Sequence, residues 1–161
     1  MLKRINNLKT KINNINISLL SNIIDKEFSK LFNITLNFFY EIIFLDSKKM
    51  LTLNKKTRNK NYIADVITIS FLETKKNISN YEANFITPLL GEIYLCPEQI
   101  KINAIKYNVT FLSELSRMYI HGVMHLLDFD HEKSNTLEYL TLKIQNKINK
   151  NVLNKYKKYE K

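Results

Sequence analysis

The stretch from His121 to His131, His-Gly-Val-Met-His-Leu-Leu-Asp-Phe-Asp-His, constrains this chain more than any other, because it holds all three of its histidines. Four residues is slightly more than one helical turn, so His121 and His125 project from one helix face and can grip a single ion. His131 follows six residues later. It lies past a predicted break at Asp128-Phe129-Asp130, where the chain can fold back to supply a third nitrogen. Three histidine ligands leave a fourth tetrahedral position open, the arrangement of a catalytic zinc rather than a structural one. Three unrelated histidines would have no reason to cluster at ligand spacing. We therefore read His121, His125 and His131 as the ligands of one Zn2+ per chain.

The residue after the first histidine narrows the chemistry. Zinc peptidases with the H-E-x-x-H pattern carry their general base there, whereas this chain has Gly122. A glycine inside a helix costs roughly 1 kcal/mol relative to alanine, and the chain has only two glycines. We expect the cost to be offset by close approach of a neighbouring backbone, on the apolar side that Gly122 shares with Leu115 and Leu126. A peptidase is disfavoured.

At 161 residues, 45% of them hydrophobic, the sequence suits one soluble domain spanning 1–161, with a substantial core but not two. No apolar run reaches the length of a membrane span, and Met1–Asn14 lacks the apolar region of a signal peptide. The lone Cys96 excludes an intramolecular disulfide, so a reducing cytoplasm is the expected compartment. The net charge of +10 favours an anionic partner, most commonly nucleic acid. Abundant Lys, Asn, Ile, Tyr and Phe also suit an AT-rich genome, which raises lysine content without selection for binding.

Periodicity predicts the elements. Ile12–Ile17 reads as a short strand. Ser18 caps a helix to about Phe32, with Leu20, Ile23, Ile24, Phe28 and Leu31 on its buried face. Leu36–Leu45 reads as a strand buried on both faces. A short helix from Ser47 to about Asn54 precedes a basic loop, Lys55–Asn61. A strand follows at Ile63–Phe71, with Ile67, Ile69 and Phe71 on one face, then a loop at Glu73–Pro88. Leu90–Leu95 is a strand in which Gly91 marks a close backbone approach or a turn, ending at a buried Cys96. Pro97 starts a helix to about Tyr107. Thr110 or a neighbour caps the histidine helix, which runs to about Leu127 with Leu112, Leu115, Tyr119, Val123 and Leu126 inward. Ser134 caps a last helix with Leu137, Leu140, Ile144 and Ile148 inward, ending in a basic tail expected to fray. Strands and helices do not alternate regularly, so the class is α+β.

The motif H-G-x-x-H-L-x-x-[aromatic]-D-H resembles the metal-site signature of the YbeY family, bacterial endoribonucleases specific for single strands that act in rRNA maturation. Further matches follow in that family's order: Asn54 and Arg58, Asp65-Val66 opening a strand, Gly91-Glu92-Ile93, and Glu114 seven residues before His121. Three departures are evident. Ile63-Ala64 stands where the family has Pro-Thr, Thr68-Ile69 where it has Ser-Phe, and Asp128 where it has Gly; Asp adopts the left-handed conformation less easily than Gly. The resemblance implies a mixed sheet of about four strands packed with helices, the metal-binding helix in the C-terminal half, and Leu90–Leu95 edging the cleft.

It also implies a zinc-dependent endoribonuclease acting on single-stranded RNA, in maturation of the small-subunit rRNA 3′ end and ribosome quality control. Its partners would be rRNA and the small ribosomal subunit, with no membrane. Arg58 stands at the family's cleft arginine. Its planar, permanently charged fork suits bidentate phosphate binding. Asp65 is read as orienting Arg58 or capping a turn. Glu114 is read as an acceptor for an imidazole N–H or as a solvent-facing carboxylate, and Asp130 as a buttress for a ligand. Two rivals stand beside this reading: another zinc hydrolase of peptidase type, and a non-catalytic ribosome assembly factor whose metal braces the fold.

Overall fold

A computed structural model describes residues 2–6, 11–32, 38–71, 89–129 and 135–159. Among these residues the elements, in chain order, are β1 (Leu2–Asn6), β2 (Lys11–Ile12), β3 (Ile15–Asn16), α1 (Ile17–Leu31), β4 (Phe38–Phe44), α2 (Ser47–Arg58), β5 (Val66–Ser70), β6 (Leu89–Leu95), α3 (Pro97–Lys106), α4 (Phe111–Leu126) and α5 (Asn135–Tyr159). The class is α+β, as expected. Four strands pair in the order β1-β4-β6-β5, while β2 and β3 form a separate hairpin. β1, β4 and β6 run parallel and β5 antiparallel to β6, so the sheet is mixed.

One face of the sheet forms the main core. Phe38, Tyr40 and Ile42 of β4 are buried, alternating with half-buried Phe39, Glu41 and Ile43. This corrects the expectation of a strand buried on both faces. Ile42 pairs with Ile93 of β6, which pairs with Thr68 of β5, so these three side chains share a face. Ile67 and Ile69 point the other way, where Ile67 packs with Met50 of α2 and Cys96. Phe71 lies beyond the strand and is exposed.

α4 lies on the inner face because its apolar residues recur at helical spacing: Leu115, Met118, Tyr119, Val123 and Leu126 are all buried. Thr110 caps it, its side chain accepting from the Ser113 N–H. A buried polar relay fixes its rotation. Tyr40 of β4 donates to Asp25 of α1, and its hydroxyl lies 2.7 Å from that of Tyr119 on α4. Burial, then the neighbouring Tyr119 and Asp25, push the Tyr40 hydroxyl well above its ordinary pKa, so it keeps its proton.

Both glycines serve this packing. A Cβ on Gly122 would lie 2.6 Å from Ile93 Cγ2 and 3.2 Å from Thr68 Oγ1. The close neighbours are thus side chains of β6 and β5 rather than backbone. Gly91 has φ +148°, and a Cβ there would lie 2.1 Å from the Ile69 carbonyl oxygen. Gly91→Ala is therefore expected to lose roughly 3 kcal/mol or more, since backbone strain and overlap add. Gly122→Ala is expected to lose about 1–3 kcal/mol, less the helix-propensity gain. Urea unfolding midpoints of the two variants test this order; a wild-type midpoint for Gly122→Ala would mean α4 does not pack so closely on the sheet, and one for Gly91→Ala that β5 and β6 do not approach so closely there.

Three boundaries differ from expectation. Asn16 rather than Ser18 caps α1, its side chain accepting from the Leu19 N–H at 3.0 Å. α2 continues four residues past Asn54, so four of the seven residues of the expected basic loop are helical. α5 runs on through the expected tail to Tyr159. Tyr156 is buried, its hydroxyl accepting from the Asn16 N–H at 2.7 Å. Lys155 and Asn151 both hold Glu27 of α1. Burial alone would raise the Glu27 carboxyl, but these two partners outweigh it and hold it below its usual range. On α5, Ile148 is buried and Ile144 half-buried, but Leu140 is 47% exposed. The side chain of Leu137, the cap at Ser134 and the expected loop at Glu73–Pro88 lie outside what the structure describes. Among the described residues, no helix is long and apolar enough to cross a membrane.

Candidate active site

His121 and His125 sit one turn apart on α4, both partly exposed. Their Nε2 atoms are 3.0 Å apart and the rings nearly perpendicular at 83°. Two nitrogens held tetrahedrally at a Zn–N distance of ~2.0–2.1 Å lie about 3.4 Å apart. The pair thus needs to open by only a few tenths of an ångström to share an ion. His121 Nδ1 lies 2.9 Å from Gln145 Oε1 on α5. A carbonyl oxygen only accepts, so Nδ1 carries the proton and Nε2 keeps its lone pair for a ligand. This donor set fits zinc. Among the described residues, no group of three His, Cys, Asp or Glu forms a metal cluster. His131, the expected third ligand, lies outside them, as does Asp130.

The chain turns sharply after the pair. Asp128 takes the left-handed conformation, φ 61°, in place of a glycine. Its N–H donates to the His125 carbonyl at 3.0 Å, and the Phe129 N–H to the Met124 carbonyl at 3.0 Å. This is a Schellman closure, which satisfies two end carbonyls of α4. Phe129 then packs on Phe32 at the end of α1, with ring centroids 4.8 Å apart and the rings tilted by 47°.

A cleft of about 350 Å3 opens beside the histidines, lined by Arg58, Val66, Ile67, Thr68, Ser70, His121 and His125. Its wall is β5, the last strand of the sheet among the described residues. This corrects the expectation that Leu90–Leu95 forms the edge, because β6 is interior, paired on both sides. Arg58 is exposed at the C-terminal tip of α2. Asn59, left-handed at φ 53°, ends the helix there, its N–H donating to the Lys55 carbonyl at 3.2 Å. Buried Asn54 donates from Nδ2 to the Tyr62 carbonyl at 2.8 Å and so pins the loop that follows. The guanidinium has no ion-pair partner among the described residues.

The carboxylates near the motif do other work. Asp65 accepts from Asn103 Nδ2 at 2.9 Å and from the Val66 N–H at 2.8 Å. It therefore ties the start of β5 to α3 and does not orient Arg58. Glu114 is buried, not solvent-facing, and holds Arg117 bidentately at 2.6 and 2.9 Å. That pairing keeps the Arg117 pKa above its ordinary value against the opposing effect of burial. Gln145, on another helix and 24 residues beyond His121, accepts from an imidazole N–H. Spacing alone gave no hint of it. The available signal was an amide at an inward position of a final helix whose other buried positions include Ile148, Val152 and Tyr156.

The profile of the family described as "Endoribonuclease YbeY" matches residues 4–156. The Endoribonuclease YbeY of Mycoplasmoides gallisepticum is 46% identical over 136 residues, covering 84% of this chain and 78% of its own. That of Thermodesulfovibrio yellowstonii is 35% identical over 111 residues, covering 69% and 65%. The solution structure of TM1509 from Thermotoga maritima matches with a TM-score of 0.64 at 23% identity, over 99% of this chain and 93% of that one, and so shares the fold. With a profile match over nearly the whole chain and a relative of this identity, the chain belongs to the YbeY family of endoribonucleases.

Proposed function

We propose that this chain is a zinc-dependent endoribonuclease that cleaves single-stranded RNA, acting in the cytoplasm on small-subunit rRNA and its 3′ end. The observation that carries the reading is the convergence of His121, His125 and Arg58 on one cleft in a chain of this family. His121 and His125 would hold the ion, with His131 as the third ligand. When bound, zinc acidifies a water towards neutrality and polarises a phosphoryl oxygen.

The remaining work falls to the chain itself. Gln145 holds His121 in the tautomer that presents Nε2. Arg58 offers a planar, permanently charged fork to the phosphate. β5, at the end of the sheet, offers an extended wall along which a single strand can lie. A double helix presents its phosphates on a rigid cylinder and is expected to enter poorly.

Metal analysis of purified protein, then incubation with single- and double-stranded RNA with and without chelator, tests this. About one zinc per chain and chelator-sensitive cleavage of the single strand are expected. Cleavage of casein but not RNA would point to a peptidase. Tight RNA binding without turnover at any metal loading would point to an assembly factor. Gln145→Leu is expected to weaken zinc binding roughly 10–100-fold, the usual effect of removing a partner of a ligating imidazole. Competition against a chromophoric chelator measures this, and wild-type affinity would remove Gln145 from the role.

A further inference from the structure

One helix carries the site on one face and an unexplained surface on the other. α5 turns Gln145 inward to His121. Its outward face presents Tyr139, Lys143, Lys147, Lys150 and Lys157, all exposed, with Tyr139 64% so. At 100° per residue these positions fall within about 40° of one line along the helix. The line covers roughly 27 Å, the length of about eight nucleotides at the ~3.4 Å spacing of stacked bases.

Two features separate this line from an ordinary solvated face. The 25-residue helix holds one acidic residue, Glu138, which lies well off the line. The contacts Lys143–Lys147 and Lys147–Lys150 are therefore like-charge pairs at i,i+4 and i,i+3, which weigh against the helix unless a polyanion screens them. The line also begins with an exposed aromatic ring, and Lys143 Nζ lies 5.9 Å from its centroid. Lysine bias in the genome accounts for ammonium groups but not for a large exposed ring at their head.

We propose that the outward face of α5 is a second RNA-binding surface, in which the lysines track the phosphate backbone and Tyr139 stacks a base. An acidic peptide would satisfy the lysines but leave the ring without a partner, whereas RNA satisfies both. The proposal rests on the RNA cleavage argued above for the identity of the polyanion. Because α5 also buttresses His121, strand held on this face is fixed to the same rigid element as the site.

The test is equilibrium binding of a labelled 12-nucleotide single-stranded RNA across a salt series, beside cleavage of a 4-nucleotide RNA too short to span the line. Changing Lys143, Lys147 and Lys150 together to Gln, which preserves helix propensity, should reduce the log K against log salt slope by about 2, from three lost contacts at ~0.7 each. Affinity for the 12-mer should fall on the order of tenfold at low salt, while cleavage of the 4-mer stays at the wild-type rate. The corresponding triple change to Arg should retain wild-type binding. Tyr139→Ala should weaken the 12-mer at least about fivefold, and Tyr139→Phe should not.

An unchanged slope and affinity in the Gln variant would overturn the surface even if the enzyme cleaves RNA. Displacement of the 12-mer by polyglutamate as readily as by RNA of equal charge would overturn the assignment to RNA. Wild-type protein that binds the 12-mer with the expected losses but cleaves nothing would leave the surface standing and remove the proposed activity.

Discussion

Protein carrying both His121→Ala and His125→Ala is expected to retain no zinc through purification, and each single variant to bind it far more weakly. The two Nε2 atoms already meet at 3.0 Å, and among the described residues no group of three His, Cys, Asp or Glu stands elsewhere to replace them. Loss of a partner to a ligating imidazole costs roughly 10–100-fold in affinity. Loss of the imidazole itself should cost more, and loss of two should take binding below any practical metal concentration. His131→Ala should weaken binding less if Asp128 or Asp130 can stand in for it. The fold should survive the double change, because α4 is held by Leu115, Tyr119, Val123 and Leu126 and by the Tyr40–Tyr119 contact, none of which is altered. Elemental analysis of wild type and variants, with circular dichroism to confirm the helices, decides the matter. Full zinc occupancy in the double variant would place the metal elsewhere.

What was legible in the sequence follows from how local each cause is. The limits of α4 could be read because its cap at Thr110, its apolar period and its exit at Leu127 all lie within one stretch. Gly91 and Gly122 announced close approach because a glycine inside an element is otherwise unfavourable, but what approached them could not be read. The start of α2 at Ser47 could be read, but its C-terminal end was misjudged because Asn59, not a glycine, supplies the left-handed stop. Only the basic tail of the last helix was expected to fray, because its composition is basic and polar; what holds that end is tertiary, Tyr156 on Asn16 and Lys155 on Glu27, each pair more than a hundred residues apart. Gln145 was hidden for the same reason. Glu114 was weighed between ligand support and solvent, yet its partner Arg117 stood three residues away, at the spacing that pairs opposite charges on a helix. The order of strands was the least accessible feature, since nothing local says that β5 rather than β6 forms the cleft wall.

Arg58→Ala is expected to leave the fold and zinc content intact and to slow cleavage of single-stranded RNA on the order of a hundredfold. The argument begins from position. Arg58 is the final residue of α2, exposed, and lines the cleft with the histidines. Its permanent positive charge excludes it as a metal ligand. The backbone that carries it is fixed: Asn59 stops the helix and Asn54 pins the following loop. If it only decorated the surface, the change would alter stability by less than ~0.5 kcal/mol and leave activity alone. If it steadies charge developing on the phosphate, removal should cost roughly 3 kcal/mol of transition-state stabilisation, as for loss of one preorganised donor. Arg58→Lys separates charge from geometry. An ammonium restores the charge but not the bidentate fork, so it should recover only part of the rate. Single-turnover cleavage by zinc-loaded wild type, Arg58→Ala and Arg58→Lys at equal concentration reads this directly. Equal rates for all three would remove Arg58 from the mechanism and leave the metal to act alone.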